Sequence, residues 1–90
     1  MDSATTTVTI INKLGLHARP AMSFVDTAST FSSDIKVTKE GQAADGKSIM
    51  QLMMLAAPKG TQLQIDAEGK DAEQAIEALT KLVASKFDEE

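Results

Sequence analysis

The chain has no cysteine, tyrosine or tryptophan, and its single histidine and single arginine, His17 and Arg19, lie two residues apart. Without cysteine there is no disulfide framework, which fits a cytoplasmic protein. One imidazole among scattered carboxylates falls short of the ligand set of a zinc site, so no metal is expected. A Ser-His-Asp triad also fails, because no motif ties a serine and an aspartate to His17. No run approaches the ~20 apolar residues of a membrane span. The start, Met1-Asp2-Ser3-Ala4-Thr5, lacks the basic and apolar regions of a signal peptide. A net charge of −4 argues against nucleic acid, whose binders carry basic patches. Aromatics make up only 3%, so the core must be aliphatic.

What is present is an orderly alternation of periods. Thr6 to Ile11 reads as a strand, with Val8 and Ile10 alternating with threonines. Asn12-Lys13-Leu14-Gly15 reads as a turn. Ala21, Met22, Val25 and Ala28 then fall at helical spacing, and Pro20 suits the first turn, where its missing N–H costs nothing. Ile35 and Val37 mark a second strand, and Gly41 turns the chain into a short third, Gln42 to Ala44. Ser48-Ile49-Met50-Gln51 has the form of a capping box and predicts a short helix to about Leu55, ended by Pro58 and Gly60. Leu63, Ile65 and Ala67 form a fourth strand. Asp71-Ala72-Glu73-Gln74 is a second capping pattern, ahead of a helix that buries Ala75, Ile76, Leu79, Leu82 and Val83. Glu77 and Lys81 are placed to pair across one turn. The acidic end Asp88-Glu89-Glu90 is expected to be solvated.

The order is β-α-β-β-α-β-α. One apolar face per strand points to an open sheet covered by helices on one side, an α+β architecture. The second and third strands form a hairpin, while the first and fourth must find distant partners.

A lone histidine is ordinarily a surface or capping residue. His17 differs because it falls near a helix N-cap, where free amides and the positive end of the dipole make an anion site. Arg19 adds planar donors matched to phosphate oxygens. Phosphoryl transfer depends on positioning and electrostatics and needs few residues, so this pair suits it.

Gly15-Leu16-His17-Ala18-Arg19-Pro20-Ala21 resembles the active-site signature of HPr, the histidine-containing phosphocarrier of the bacterial phosphotransferase system. Lys47-Ser48-Ile49-Met50 resembles that family's second signature, at the expected distance, and the likeness runs from about Thr6 to Phe87. The resemblance implies one HPr-like domain over 1–90, an open-faced β-sandwich with a four-stranded antiparallel sheet and three helices on one face. It implies a stoichiometric carrier rather than an enzyme, with no cofactor. His17 would accept a phosphoryl group on Nδ1 from enzyme I and pass it to a histidine of an enzyme IIA-type acceptor. Arg19 and the backbone amides of Ala18 and Arg19 would stabilise the moving charge. Ser48 would be a regulatory phosphorylation site for an HPr kinase/phosphorylase, beside its plain role as an N-cap. Leu16, Ile49, Met50 and Met53 would contact partners, as part of an exposed apolar patch that also includes Met54. Flexible methionines suit a surface that meets several proteins in turn.

Two features depart from the sugar-pathway pattern. The exposed face of the first helix shows Ser23, Asp26 and Ser29 rather than lysines, and Asn12-Lys13-Leu14-Gly15 looks more like the nitrogen-related branch, NPr. The branch stays open. No feature calls for an oligomer, so a monomer is expected.

Gly41-Gln42-Ala43-Ala44-Asp45-Gly46-Lys47-Ser48 also fits the Walker A pattern. A P-loop enzyme needs a parallel sheet and a Walker B aspartate, and one strand and one helix after Ser48 leave no room for them. The match is read as accidental. A further alternative is a regulatory binding module controlled by Ser48 phosphorylation, with His17 secondary.

Overall fold

A computed structural model describes residues 2–88. Along the chain come β1 (Ser3–Thr9), α1 (Ala18–Ala28), β2 (Asp34–Lys39), β3 (Gln42–Asp45), α2 (Ile49–Met54), β4 (Gln62–Glu68) and α3 (Ala72–Ala84). The order matches the sequence reading. One sheet holds the strands in the order β1-β4-β2-β3, and every neighbouring pair is antiparallel. The distant partner of β1 is therefore β4, which also pairs with β2.

Register follows from burying one face. Thr6 pairs with Ile65, Ile65 with Val37 and Val37 with Ala44, so a single rung crosses all the strands. Val8, Leu63, Ala67 and Ile35 sit on the same buried face, while Thr5, Thr7, Gln64 and Lys36 look outward. A slip of one residue would exchange these sets, so the core fixes the pairing. Glu40 (φ +48°) and Gly41 (φ +84°) supply the paired positive angles of a two-residue hairpin turn between β2 and β3.

Helices cover the inner face. α3 packs on β1 and β4, α2 on β3, and α1 against α2 and α3. α1 buries Ala21, Phe24 and Ala28; α2 buries Leu52; α3 buries Ala72, Ala75, Leu79 and Val83. Each leucine, valine or phenylalanine among them contributes roughly 1.5–3 kcal/mol when fully removed from water, and each alanine methyl about 0.8 kcal/mol. Ile76 and Leu82 are only half-buried. Glu77 and Lys81 pair at 3.1 Å as expected, on an exposed surface where such pairs contribute little.

Several expectations need correction. β1 spans residues 3–9 rather than 6–11: Ser3, Ala4 and Thr5 pair with Glu68, Ala67 and Asp66, and Ile10 bonds Thr61 and Gly60 in the loop before β4. Met22 is 51% exposed instead of joining the α1 core stripe; Phe24, which the expected stripe omitted, is buried with Pro20, Ala21 and Ala28, and Val25 is half-buried. Asp71 stands at the N-cap of α3 but does not cap it. Its carboxylate accepts the backbone N–H groups of Ser32 (2.9 Å) and Ser33 (3.0 Å) and both serine hydroxyls, tying the α1–β2 loop to the start of α3. Those donors, the Ser33 hydroxyl first and the Ser32 amide next, lower the Asp71 pKa to about 2.

Lys86, Phe87 and Asp88 form a left-handed turn with φ of 58, 56 and 58°, which carries Phe87 into the core. Asp88 is exposed, as expected for the acidic end; Glu89 and Glu90 lie outside the described residues. Among the described residues, no helix is long and apolar enough to cross a membrane.

Candidate functional site

His17 occupies the N-cap of α1 with an extended backbone (φ −85°, ψ −168°), and its side chain does not cap the helix. Its carbonyl accepts the Ala21 amide at 3.0 Å. Pro20 has no N–H, so Ala18 and Arg19 carry the other donors of the first turn. No acidic side chain lies in that turn. The start of α1 thus combines amides, the positive end of an 11-residue helix and the Arg19 guanidinium. His17 is half-buried and Arg19 exposed. Both line a shallow depression with Ala18, Met22, Ser23 and Asp26.

The loop before His17 is held by backbone contacts that composition does not reveal. Asn12, fully buried, donates from Nδ2 to the Gly15 carbonyl at 2.7 Å, and the Gly15 amide returns to the Asn12 carbonyl at 3.2 Å. The Leu16 amide donates to the Ala57 carbonyl at 2.8 Å. Gly15 has φ +72°, and a Cβ there would lie 2.6 Å from the Ala57 oxygen and 2.8 Å from the Pro58 Cα. Only glycine permits both the angle and the approach. Ala56 to Pro58 then form, with Leu14 and Leu16, a second depression that His17 also lines.

That docking explains one departure from expectation. Leu16 is not part of an exposed patch: with its amide bonded to Ala57, its side chain turns into the core and is only 6% exposed. Ile49 (38%), Met50 (76%), Met53 (44%) and Met54 (69%) are exposed as expected, whereas Leu52 and Leu55 are buried. Leu14 (71%) and Met22 join the exposed apolar residues, and sequence reasoning missed both. The signal for Leu14 was its place inside a turn, where an apolar side chain has no element to pack beneath it.

Ser48 is the N-cap of α2, and its Oγ accepts the Gln51 amide at 3.2 Å. The return half of the capping box is absent: Gln51 Oε1 instead accepts the Asp45 amide at 2.8 Å. At the other end of α2, the Lys39 ammonium donates to the carbonyls of Leu55 (2.9 Å) and Ala56 (3.1 Å). Such a cation suits a helix C-terminus. Residues 42–45 of the Walker-like run form an antiparallel strand, and Lys47 Nζ is bonded to the Phe31 carbonyl at 2.8 Å. There is no phosphate cradle there.

The family model described as "PTS HPr component phosphorylation site" matches residues 4–85. The chain belongs to the HPr family of phosphocarrier proteins. Phosphocarrier protein HPr of Neisseria meningitidis is 51% identical over 82 residues, covering 91% of this chain and 92% of that protein. The HPr of Pseudomonas aeruginosa is 48% identical over 83 residues, with coverage of 91% and 92%. The crystal structure of HPr-C-His from Thermoanaerobacter tengcongensis superposes with a TM-score of 0.93 at 50% identity, covering 97% of this chain and 98% of that one. HPr architecture thus accounts for the open sheet with its helices on one face.

Proposed function

We propose that this HPr-family chain carries a phosphoryl group on His17, taken from the phosphohistidine of an enzyme I and delivered to a histidine of an enzyme IIA-type protein. The observation that carries the reading is the His17 imidazole at the N-cap of an amide-rich helix start, beside Arg19 and not engaged in capping. An unprotonated ring nitrogen, Nδ1 by family likeness, attacks the phosphorus of the donor. The new N–P bond forms as the donor's N–P bond breaks, and the donor imidazole keeps the electron pair. The Ala18 and Arg19 amides and the Arg19 guanidinium face the charge on the transferring oxygens. Repetition of the step with an acceptor imidazole returns His17 to its starting state. No cofactor is needed, and the chain acts as a stoichiometric carrier.

Ser48 is the proposed regulatory site, modified by a kinase of the HPr kinase type. A phosphate at this cap would sit at a helix N-terminus and leave α2 folded, so its effect would be charge introduced next to exposed Ile49 and Met50. Together with Met53, those two residues are the proposed partner contacts.

Incubation with enzyme I and phosphoenolpyruvate tests the carrier role. Wild type is expected to gain acid-labile, base-stable phosphate and His17→Ala none, with an unchanged melting temperature. Equal labelling of His17→Ala would refute the assignment. No acid-labile label in that incubation, with acid-stable label on Ser48 in a parallel one supplied with a kinase of the HPr kinase type and ATP, would instead favour a regulatory module.

A further inference from the structure

The described methionines are all exposed: Met22 by 51%, Met50 by 76%, Met53 by 44% and Met54 by 69%. None contributes to the buried core, which is built of valine, isoleucine, leucine, alanine and phenylalanine. Their distribution is not diffuse. They sit on α1 and α2, which pack against each other, and Met22 lines the same depression as His17 and Arg19. The chain has no thiol to compete for an oxidant, so these thioethers are its most readily oxidised groups.

We propose that Met22, Met50, Met53 and Met54 form a peroxide-sensitive modification site, whose conversion to sulfoxides weakens partner docking around His17 while leaving the fold intact. The inference rests on the docking face proposed above. In each event a sulfur lone pair attacks one oxygen of hydrogen peroxide or an organic hydroperoxide. The S–O bond forms as the O–O bond breaks, and the departing oxygen takes a proton and leaves as water or an alcohol. Sulfur is oxidised by two electrons and the peroxide is reduced by two. The product replaces a flexible apolar contact with a polar, chiral group that must be desolvated when a partner covers it. Methionine sulfoxide reductases reverse the change. Leu14 and Ile49 on the exposed surface are inert to peroxide, so the response belongs to the sulfurs.

The test treats the full chain with hydrogen peroxide and assays phosphoryl transfer from purified enzyme I and phosphoenolpyruvate. Peptide mapping by mass spectrometry is expected to find one added oxygen at each of the named residues and to separate them from Met1. The concentration of chain that half-saturates enzyme I is expected to rise roughly tenfold, with the melting temperature held within a few degrees. Sulfoxide reductases with a thiol reductant are expected to reverse the rise. A variant with all four methionines changed to leucine is compared only with itself, before and after peroxide, and its ratio is expected to stay near one. Full oxidation with no change in half-saturation would overturn the proposal, as would a collapse of the melting temperature or equal peroxide sensitivity of the leucine variant. An untreated chain that takes no acid-labile phosphate would overturn the carrier reading itself, an outcome separate from any effect of oxidation.

Discussion

α1 and α2 begin in opposite ways. At α2 the first-turn donor is satisfied from within, by Ser48 Oγ on the Gln51 amide, and Gln51 reaches back to Asp45. At α1 the N-cap side chain is an imidazole that makes no cap, and Pro20 removes one donor altogether. Folding alone would favour Ser, Thr, Asp or Asn at position 17, worth about 1 kcal/mol over a non-capping residue. On the proposed reading, the chain forgoes that gain at the helix start that receives a phosphoryl group in every transfer and takes it at the one where a phosphate would come only through regulation. α3 is a third solution: Asp71 turns its carboxylate away from its own helix to bind Ser32 and Ser33.

The contrast can be broken most sharply at Arg19. Arg19→Ala is expected to slow transfer from enzyme I roughly 100- to 1,000-fold, the usual effect of losing a donor aimed at developing charge. Its melting temperature should barely move, because an exposed first-turn side chain lies outside the core. A large fall in melting temperature with intact transfer would make Arg19 structural. Gly15→Ala comes next. Strain at φ +72° and contact with Ala57 and Pro58 should cost about 1–3 kcal/mol in urea unfolding and slow transfer as well, since His17 follows two residues later. Unchanged stability would show that the 12–15 loop can shift freely.

Ser48→Ala should cost about 1 kcal/mol, or roughly 4–8 °C in melting temperature, with the transfer rate close to wild type. If it slowed transfer as much as Arg19→Ala, the two helix starts would not be divided by role. The smallest effect belongs to Asp71. Its carboxyl titrates near pH 2 in the folded chain and ~3.9 when unfolded, so the native state favours the charged form. The stabilisation it gives is present above pH ~4 and is lost as pH falls toward 2. The gap in melting temperature between wild type and Asp71→Asn should therefore narrow over that window; a constant gap would dissociate the clasp from ionisation.

Much of this was legible in the sequence because the period of the apolar residues changes at each element. Val8, Ile35, Val37, Leu63 and Ile65 alternate, and Leu52, Leu55, Leu79 and Val83 do not. The pairing order was less legible, since nothing local tells β1 that its partner begins at Gln62. His17 and Arg19 stood out by rarity and by the likeness of their surroundings to a known signature. The fate of Leu16 did not, because a loop side chain takes its direction from where its backbone docks, here on Ala57. Nothing in the sequence marked Lys39 and Lys47 as residues whose ammonium groups each end on a backbone carbonyl sixteen residues away. The burial of Phe87 depended on a left-handed turn that begins at Lys86 and Phe87, residues with no bias toward one.

The bond from Leu16 to Ala57 has a consequence in time as well as in space. A nascent chain presents His17 early, but the segment against which its loop rests arrives some forty residues later, and the β4 partner of β1 later still. At ~5–20 residues per second, several seconds pass between the two. During that interval the helix start can form only as a transient, because it lacks the floor that aims it. A prematurely ended product would carry both signature residues and still fail as a relay. Competence to receive phosphate is in this sense a late checkpoint on synthesis.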